Sequence, residues 1–284
     1  MLDADMENQG NFLPLMCENL SAELKRKAEK ELNETEDSIK EGLVHLKDFI
    51  KRTNIDICTD NAFLIQFLRG AKFNLRKSEE KIKWYLRLQK TLGHFLQNND
   101  IETIESLLDL KLCGLLPYRD KNGRCILYSQ GSLWNSEQYS ADQLATCLIL
   151  LCQFAILFPP TMVSGLNYIG DSCLKTHWDH CKVFKAATSS ISSVLSLPMR
   201  LQRIDVIKES SLYHNFLTGL RVILPKKIKN RIHAHGKNLT TLQDSYGSSI
   251  LPFEFGGTMG PLTNNSFKSQ FLEYVRSIRD SYKY

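Results

Sequence analysis

The chain has no apolar run long enough to cross a bilayer. Charge is absent from Gln143 to Gly170, but the dense apolar part, Leu144–Phe158, is only 15 residues. As a helix it would rise about 22 Å, short of the roughly 20 residues a span needs. Pro159-Pro160 then interrupts it, so it reads as a buried core helix leading to a buried strand. The opening, MLDADMENQG, has no apolar h-region, and no secretory signal is expected. Without one, the eight cysteines (17, 58, 113, 125, 147, 152, 173 and 181) are expected as reduced cytosolic thiols, and the sequons at Asn33, Asn238 and Asn264 as unused. There is no Gly-x-x-x-x-Gly-Lys-Ser/Thr loop, no Gly-x-Ser-x-Gly elbow and no kinase signature. Gly256-Gly257-Thr258-Met259-Gly260-Pro261 has the wrong glycine spacing for a dinucleotide fingerprint, and Pro261 removes a donor where phosphate needs one. No cofactor is expected.

Acidic side chains are missing from Ser210 to Gln243, while Arg221, Lys226, Lys227, Lys229, Arg231 and Lys237 fall inside that stretch. Elsewhere the chain holds 30 basic against 31 acidic residues, so the formal charge of +5 is one local block on a near-neutral body. With 43% apolar and 24% charged residues, wholesale disorder is excluded.

Residues 18–52 show apolar side chains at helical spacing (Leu32, Ile39, Leu43, Leu46, Ile50). Asp60 reads as an N-cap for a helix with the stripe Phe63, Leu64, Phe67 and Leu68, and Ser78 as the start of a third helix. Residues 1–100 are therefore expected to form a helical lobe. From 101 the pattern becomes α/β: a short helix over 101–112, strands over 115–118 and 125–128 around the turn Asp120-Lys121-Asn122-Gly123, a helix over 141–158 and a strand over 162–169. A helix over 176–195, a strand over 201–207 and helices over 212–224 and 226–233 follow. Such alternation predicts an α/β lobe with a mostly parallel sheet over 101–265, and 266–284 a C-terminal helix.

Two clusters invite chemistry. Cys173, His177, His180 and Cys181 include a His/Cys pair at i, i+4, but no second pair lies at a zinc-like spacing, and no metal is expected. The other cluster is the basic block, with Lys227 and Arg231 at i, i+4. A solvated helix face, nucleic acid and anionic lipid headgroups are the alternatives. The block lacks interleaved aromatics and any nucleic-acid motif, so no nucleic acid is expected. An apolar helix immediately upstream (Leu212, Phe216, Leu217, Leu220, Ile223, Leu224) favours a membrane-facing or lid element.

Four segments in order carry a family resemblance: Asn61-Ala-Phe-Leu-Ile-Gln-Phe-Leu-Arg-Gly-Ala-Lys-Phe-Asn74, Asp120-Lys-Asn-Gly-Arg124, Lys227-Ile-Lys-Asn-Arg-Ile-His-Ala-His-Gly236 and Ile250-Leu-Pro-Phe-Glu-Phe-Gly-Gly257. Over roughly residues 40–265 the chain resembles the CRAL-TRIO lipid-transfer family, in the group of the tocopherol and retinaldehyde carriers. The resemblance implies a family-type helical N-terminal lobe, and an α/β lobe enclosing one apolar pocket under a helical lid. It implies a monomeric, non-enzymatic, cytoplasmic carrier of one hydrophobic lipid, such as a tocopherol, retinoid, carotenoid or other isoprenoid. Transient contact with anionic, phosphoinositide-bearing membranes would promote release. Motif by motif, it puts headgroup contact on Arg69, Arg200, Lys227 and Arg231, and pocket lining on Tyr168, Leu197, Ile204, Val206, Phe216 and Leu220. Arg69 reads equally as an inter-helix ion pair. The chain departs from the family pattern at Ile169-Gly-Asp-Ser, at Phe255 and at Gln202. A phospholipid-sensing regulator without transfer, and a lipid-acting enzyme using Cys181 or His180, remain as alternatives.

Overall fold

The computed structural model describes residues 13–98, 101–174, 176, 178–183, 185, 186, 196–209, 213, 224 and 226–281. Four helices open it: α1 (Ala22–Leu32), α2 (Glu36–Thr53), α3 (Asn61–Gly70) and α4 (Leu75–Asn98). The helix expected over 18–52 is two helices. Asn33 takes a left-handed conformation (φ 62°) that closes α1, and Thr35 opens α2 through a reciprocal capping box with Ser38. Ser78, expected to start α4, lies inside it. Its hydroxyl donates to the carbonyls of Asn74 and Phe67, while the Asn74 side chain accepts from the Lys77 N–H. Leu46, Phe49, Leu64, Phe67, Leu68 and Ile82 make the shared core of α2, α3 and α4.

The second half follows as α5 (Ile101–Asp109), β1 (Cys113–Leu115), β2 (Cys125–Gln130), α6 (Ala141–Ala155), α7 (Pro159–Ser164), β3 (Leu166–Asp171), β4 (Leu201–Ile207), α8 (Lys226–Lys229), β5 (Ile232–Ala234), α9 (Thr240–Tyr246) and α10 (Lys268–Ser281). The sheet runs β1-β2-β3-β4-β5, open at both edges. Its β1–β2 pair is antiparallel and the other three pairs are parallel. The β1–β2 turn is held by Asp120, whose carboxylate accepts the N–H groups of Asn122 and Arg124.

Elements of this half also differ from the sequence expectation. The first strand, expected over 115–118, lies at Cys113–Leu115, where the chain pairs with β2. The strand expected from Met162 begins at Leu166, because Pro159 and Pro160 sit at the first helical positions of α7 and Gly165 (φ 92°) ends it. The basic helix expected over 226–233 is the single turn Lys226–Lys229. The Arg231 carbonyl then accepts the Ile204 N–H, and Ile232–Ala234 joins the sheet edge as β5. The helix expected over 212–224 lies outside the described residues apart from Tyr213 and Leu224.

Alternation along the strands divides the molecule. Ile126, Tyr128, Ile169 and Ile207 pack on one side against α9 and the following turns. Leu127, Leu166 and Tyr168 face the other side, where α6 lies and the larger core gathers. The helix α6 starts at a Ser140–Gln143 capping box and buries Cys147, Leu150, Leu151 and Phe154. Among the described residues no helix is long and apolar enough to cross a membrane.

Candidate functional site

Between α6 and that face of the sheet lies a cavity of about 290 Å³. Strands β2, β3 and β4 supply the floor, α6 one wall, and Leu224, Ile228 and Ile232 the far side. The lining is overwhelmingly aliphatic, including Leu144, Leu148, Leu201, Ile204 and Val206. Of the residues singled out in the sequence, Tyr168, Ile204 and Val206 line it. Leu197 is fully buried in the adjoining core and is not part of the lining. Phe216 and Leu220 lie outside the described residues.

One polar spot interrupts the apolar floor. Ser129 is in register with Gly170 across the β2–β3 pair, and Tyr168 precedes Gly170 by two on the same face. The Tyr168 ring lies back over Gly170: a Cβ there would meet Cε1 and Oη of Tyr168 at 2.9 Å. That fold brings the Tyr168 hydroxyl to 2.5 Å from Ser129 Oγ. Burial pushes the phenol of Tyr168 up despite the Ser129 hydrogen bond, and does the same to Tyr213, which faces the same cavity. Both rings are therefore neutral at physiological pH. Asp171, at the cavity end of β3, is held by the Ser132 hydroxyl (2.9 Å), the Cys173 N–H (2.8 Å) and Lys208 Nζ (3.1 Å).

A basic surface lies near α8. Lys227 is exposed, and its ammonium is pushed down first by partial burial, then by Arg231, Lys72, Arg200 and Lys77. Partial burial and then Arg200 and Arg124 depress Arg231 in the same way. Depression by cationic neighbours at both Lys227 and Arg231 marks like charges held near one another, the arrangement an anion relieves. Arg200 donates to the Val163 carbonyl (2.6 Å) and to Glu31 (2.8 Å). Arg231 donates to the Leu201 carbonyl, which fixes it beside β4. Lys81 of α4 donates to the Leu197 carbonyl at 3.0 Å, and desolvation followed by the Lys227 charge brings it down to about 8. Arg69 is placed differently: its guanidinium is buried and paired with Glu34 across the α1–α2 junction.

Cys173 and Cys181 are exposed, and His177 lies outside the described residues. Among the described residues no three His, Cys, Asp or Glu side chains gather as metal ligands would.

Residues 109–257 match the family model described as the CRAL/TRIO domain. The chain belongs to the CRAL/TRIO family. It is 25% identical over 262 residues to an alpha-tocopherol transfer protein-like protein of Homo sapiens, covering 89% of this chain and 75% of that one. It is 28% identical over 268 residues to clavesin-2 of Rattus norvegicus, covering 90% and 80%. The crystal structure of Sfh5 superposes with a TM-score of 0.56 at 11% identity, over 87% of this chain and 99% of that one, a likeness of fold. The CRAL/TRIO family binds and transfers lipophilic ligands, and in this member the aliphatic cavity over the parallel strands is the compartment suited to one.

Sequence reasoning missed the β2 and α6 contributions to the cavity. Ser129 carried a signal, being a hydroxyl two residues after Leu127 on the cavity face of the strand. Gly170 carried another: an isolated glycine inside a strand marks a close approach, here of the Tyr168 ring.

Proposed function

We propose that the protein is a cytoplasmic carrier. It encloses one lipophilic molecule between α6 and the sheet, and exchanges it at membranes bearing anionic headgroups. The observation that supports this most is the cavity itself. Its about 290 Å³ of aliphatic-lined space sits near the lower end of the roughly 300–1,000 Å³ typical of small-molecule sites. Burial of an isoprenoid there is favourable by roughly 25 cal/mol per Å², less the cost of ordering the ligand. The basic surface of Arg200, Lys227 and Arg231 supports the membrane half of the reading, phosphoinositide headgroups being the anions of highest charge density at such a surface. Arg69, paired with Glu34, would serve as a structural ion pair.

Organic extraction and mass spectrometry of the purified protein should return one lipid at near-stoichiometric amount. Transfer of that lipid between donor and acceptor vesicles should be faster with the protein than without it. No extracted lipid, together with no uptake from vesicles, would end the carrier reading. Binding without transfer would point instead to a lipid-sensing regulator.

A further inference from the structure

The lining of the cavity fixes the kind of head its ligand can carry. Resting on the carrier reading above, we propose that the ligand is a neutral lipid with a single hydroxyl or carbonyl oxygen. That oxygen would be seated on the Ser129–Tyr168 hydroxyl pair, and lipids with an anionic head would be excluded.

Donor counting leads to this. Two hydroxyls carry two protons, and the hydrogen bond between Ser129 and Tyr168 uses one. The pair therefore keeps one O–H to donate and lone pairs to accept with, on a floor made mostly of leucine, isoleucine and valine. Three other polar groups along the lining have fixed partners. Trp134 Nε1 donates to the Tyr139 carbonyl, Ser172 to the Ile207 carbonyl, and Asp171 is held by Lys208, Ser132 and the Cys173 N–H. A ligand oxygen at Ser129–Tyr168 both donates and accepts if it is a hydroxyl, and accepts if it is a carbonyl.

Charge sets the second half. Among the described lining residues there is no Lys, Arg or His, and the one ionisable side chain of formal charge is the carboxylate of Asp171. A phosphate or fatty-acid carboxylate drawn into this space would lose its hydration, and Lys208, the cation at the cavity end of β3, is already engaged by Asp171. The cations near α8 gather outside this lining, so anionic headgroups and the bound lipid's own head are read by separate surfaces.

Matched long-chain probes separate these statements. Delipidated protein would be titrated, with delivery from cyclodextrin, with oleyl alcohol, oleic acid and the alkene of the same length. The alcohol should bind about five- to tenfold more tightly than the alkene, the worth of one net hydrogen bond. The acid at neutral pH should bind more weakly than either. Tyr168→Phe combined with Ser129→Ala should bring the alcohol-to-alkene ratio towards one, whereas either change alone leaves one hydroxyl with its O–H free and should lower the ratio less. If all three probes fail to bind, the carrier reading itself falls. If the alkene binds but the alcohol shows no advantage, or the acid binds best, the carrier reading stands and the neutral-head inference is overturned. A ratio that survives in the double variant would equally overturn the role of the pair.

Discussion

Arg69 of α3 grips Glu34 with two parallel hydrogen bonds, Nε to Oε2 at 2.8 Å and Nη2 to Oε1 at 2.6 Å. Both side chains are under a tenth exposed, at 9% and 8%. Glu34 sits in the short link between α1 and α2, so this fork ties the first helix pair to the third helix. The same arginine lies in a motif that resembles a headgroup-binding family segment, yet its donors are directed at a carboxylate inside the protein.

Removing one partner of a buried pair strands the other charge, at a cost of about 3–5 kcal/mol. Glu34→Ala and Arg69→Ala should therefore each lower the urea midpoint strongly. The double variant should lose less than the sum of the two, because neither charge is then left alone. Additive losses in that cycle would show that the two side chains do not act as a pair.

Lys227 is the cleaner probe of the basic surface. It is exposed, whereas Arg231 also donates to the Leu201 carbonyl and holds the sheet edge. Each basic residue near an anionic surface contributes about 1 kcal/mol. Lys227→Ala should weaken binding to phosphoinositide-containing vesicles roughly fivefold, and Lys227→Glu by more. Both effects should shrink as salt is raised. Equal binding of the charge-reversed protein to these vesicles at low salt would remove Lys227 from the membrane-facing surface.

Local periodicity made part of this legible. Ile204 and Val206 share a face because strand side chains alternate, and that needs only the sequence of β4. The helix α6 was visible from its apolar run, although it ends at Ala155 and not at 158. What failed to show was non-local. The Ser129–Tyr168 contact spans 39 residues and depends on the parallel register of β2 on β3; an ion pair was one of the two readings of Arg69, but its partner, Glu34, lies 35 residues away. The basic helix was overextended for a similar reason: Ile232–Ala234 has helical spacing on paper, but the edge of β4 offers its backbone a ladder.

Gly170 makes room for the Tyr168 ring, and this can be tested by filling the room. In Gly170→Ala the new Cβ would lie 2.9 Å from the ring, so the ring must swing into the cavity and leave Ser129. Binding of the extracted lipid should weaken about tenfold, from lost volume and a lost hydrogen bond together. In a Tyr168→Leu background the same alanine should cost far less, because nothing then overlies position 170. An equal loss in both backgrounds would show that ring displacement is not the cause.

Lys81 gives a pH dependence with a definite sign. Its ammonium is desolvated beside Lys227 and brought down to about 8 in the folded chain, against an ordinary lysine value of 10.5. Between these two values the unfolded chain binds more protons than the folded one, so this group makes stability rise with pH across that interval. Below about pH 8 both states are protonated, and the cost of keeping a charge in this site is fully present. Lys81→Met removes the charge but leaves the Leu197 carbonyl without its donor, so the absolute change at one pH is ambiguous while its slope is not. The Tm of the wild-type protein should climb relative to that of Lys81→Met from about pH 7.5 to about pH 9.5. Inorganic phosphate or a soluble inositol phosphate, bound beside Lys227, should raise the Lys81 value and move the climb to higher pH. A difference in Tm that stays flat across this range would show that Lys81 titrates like any surface lysine.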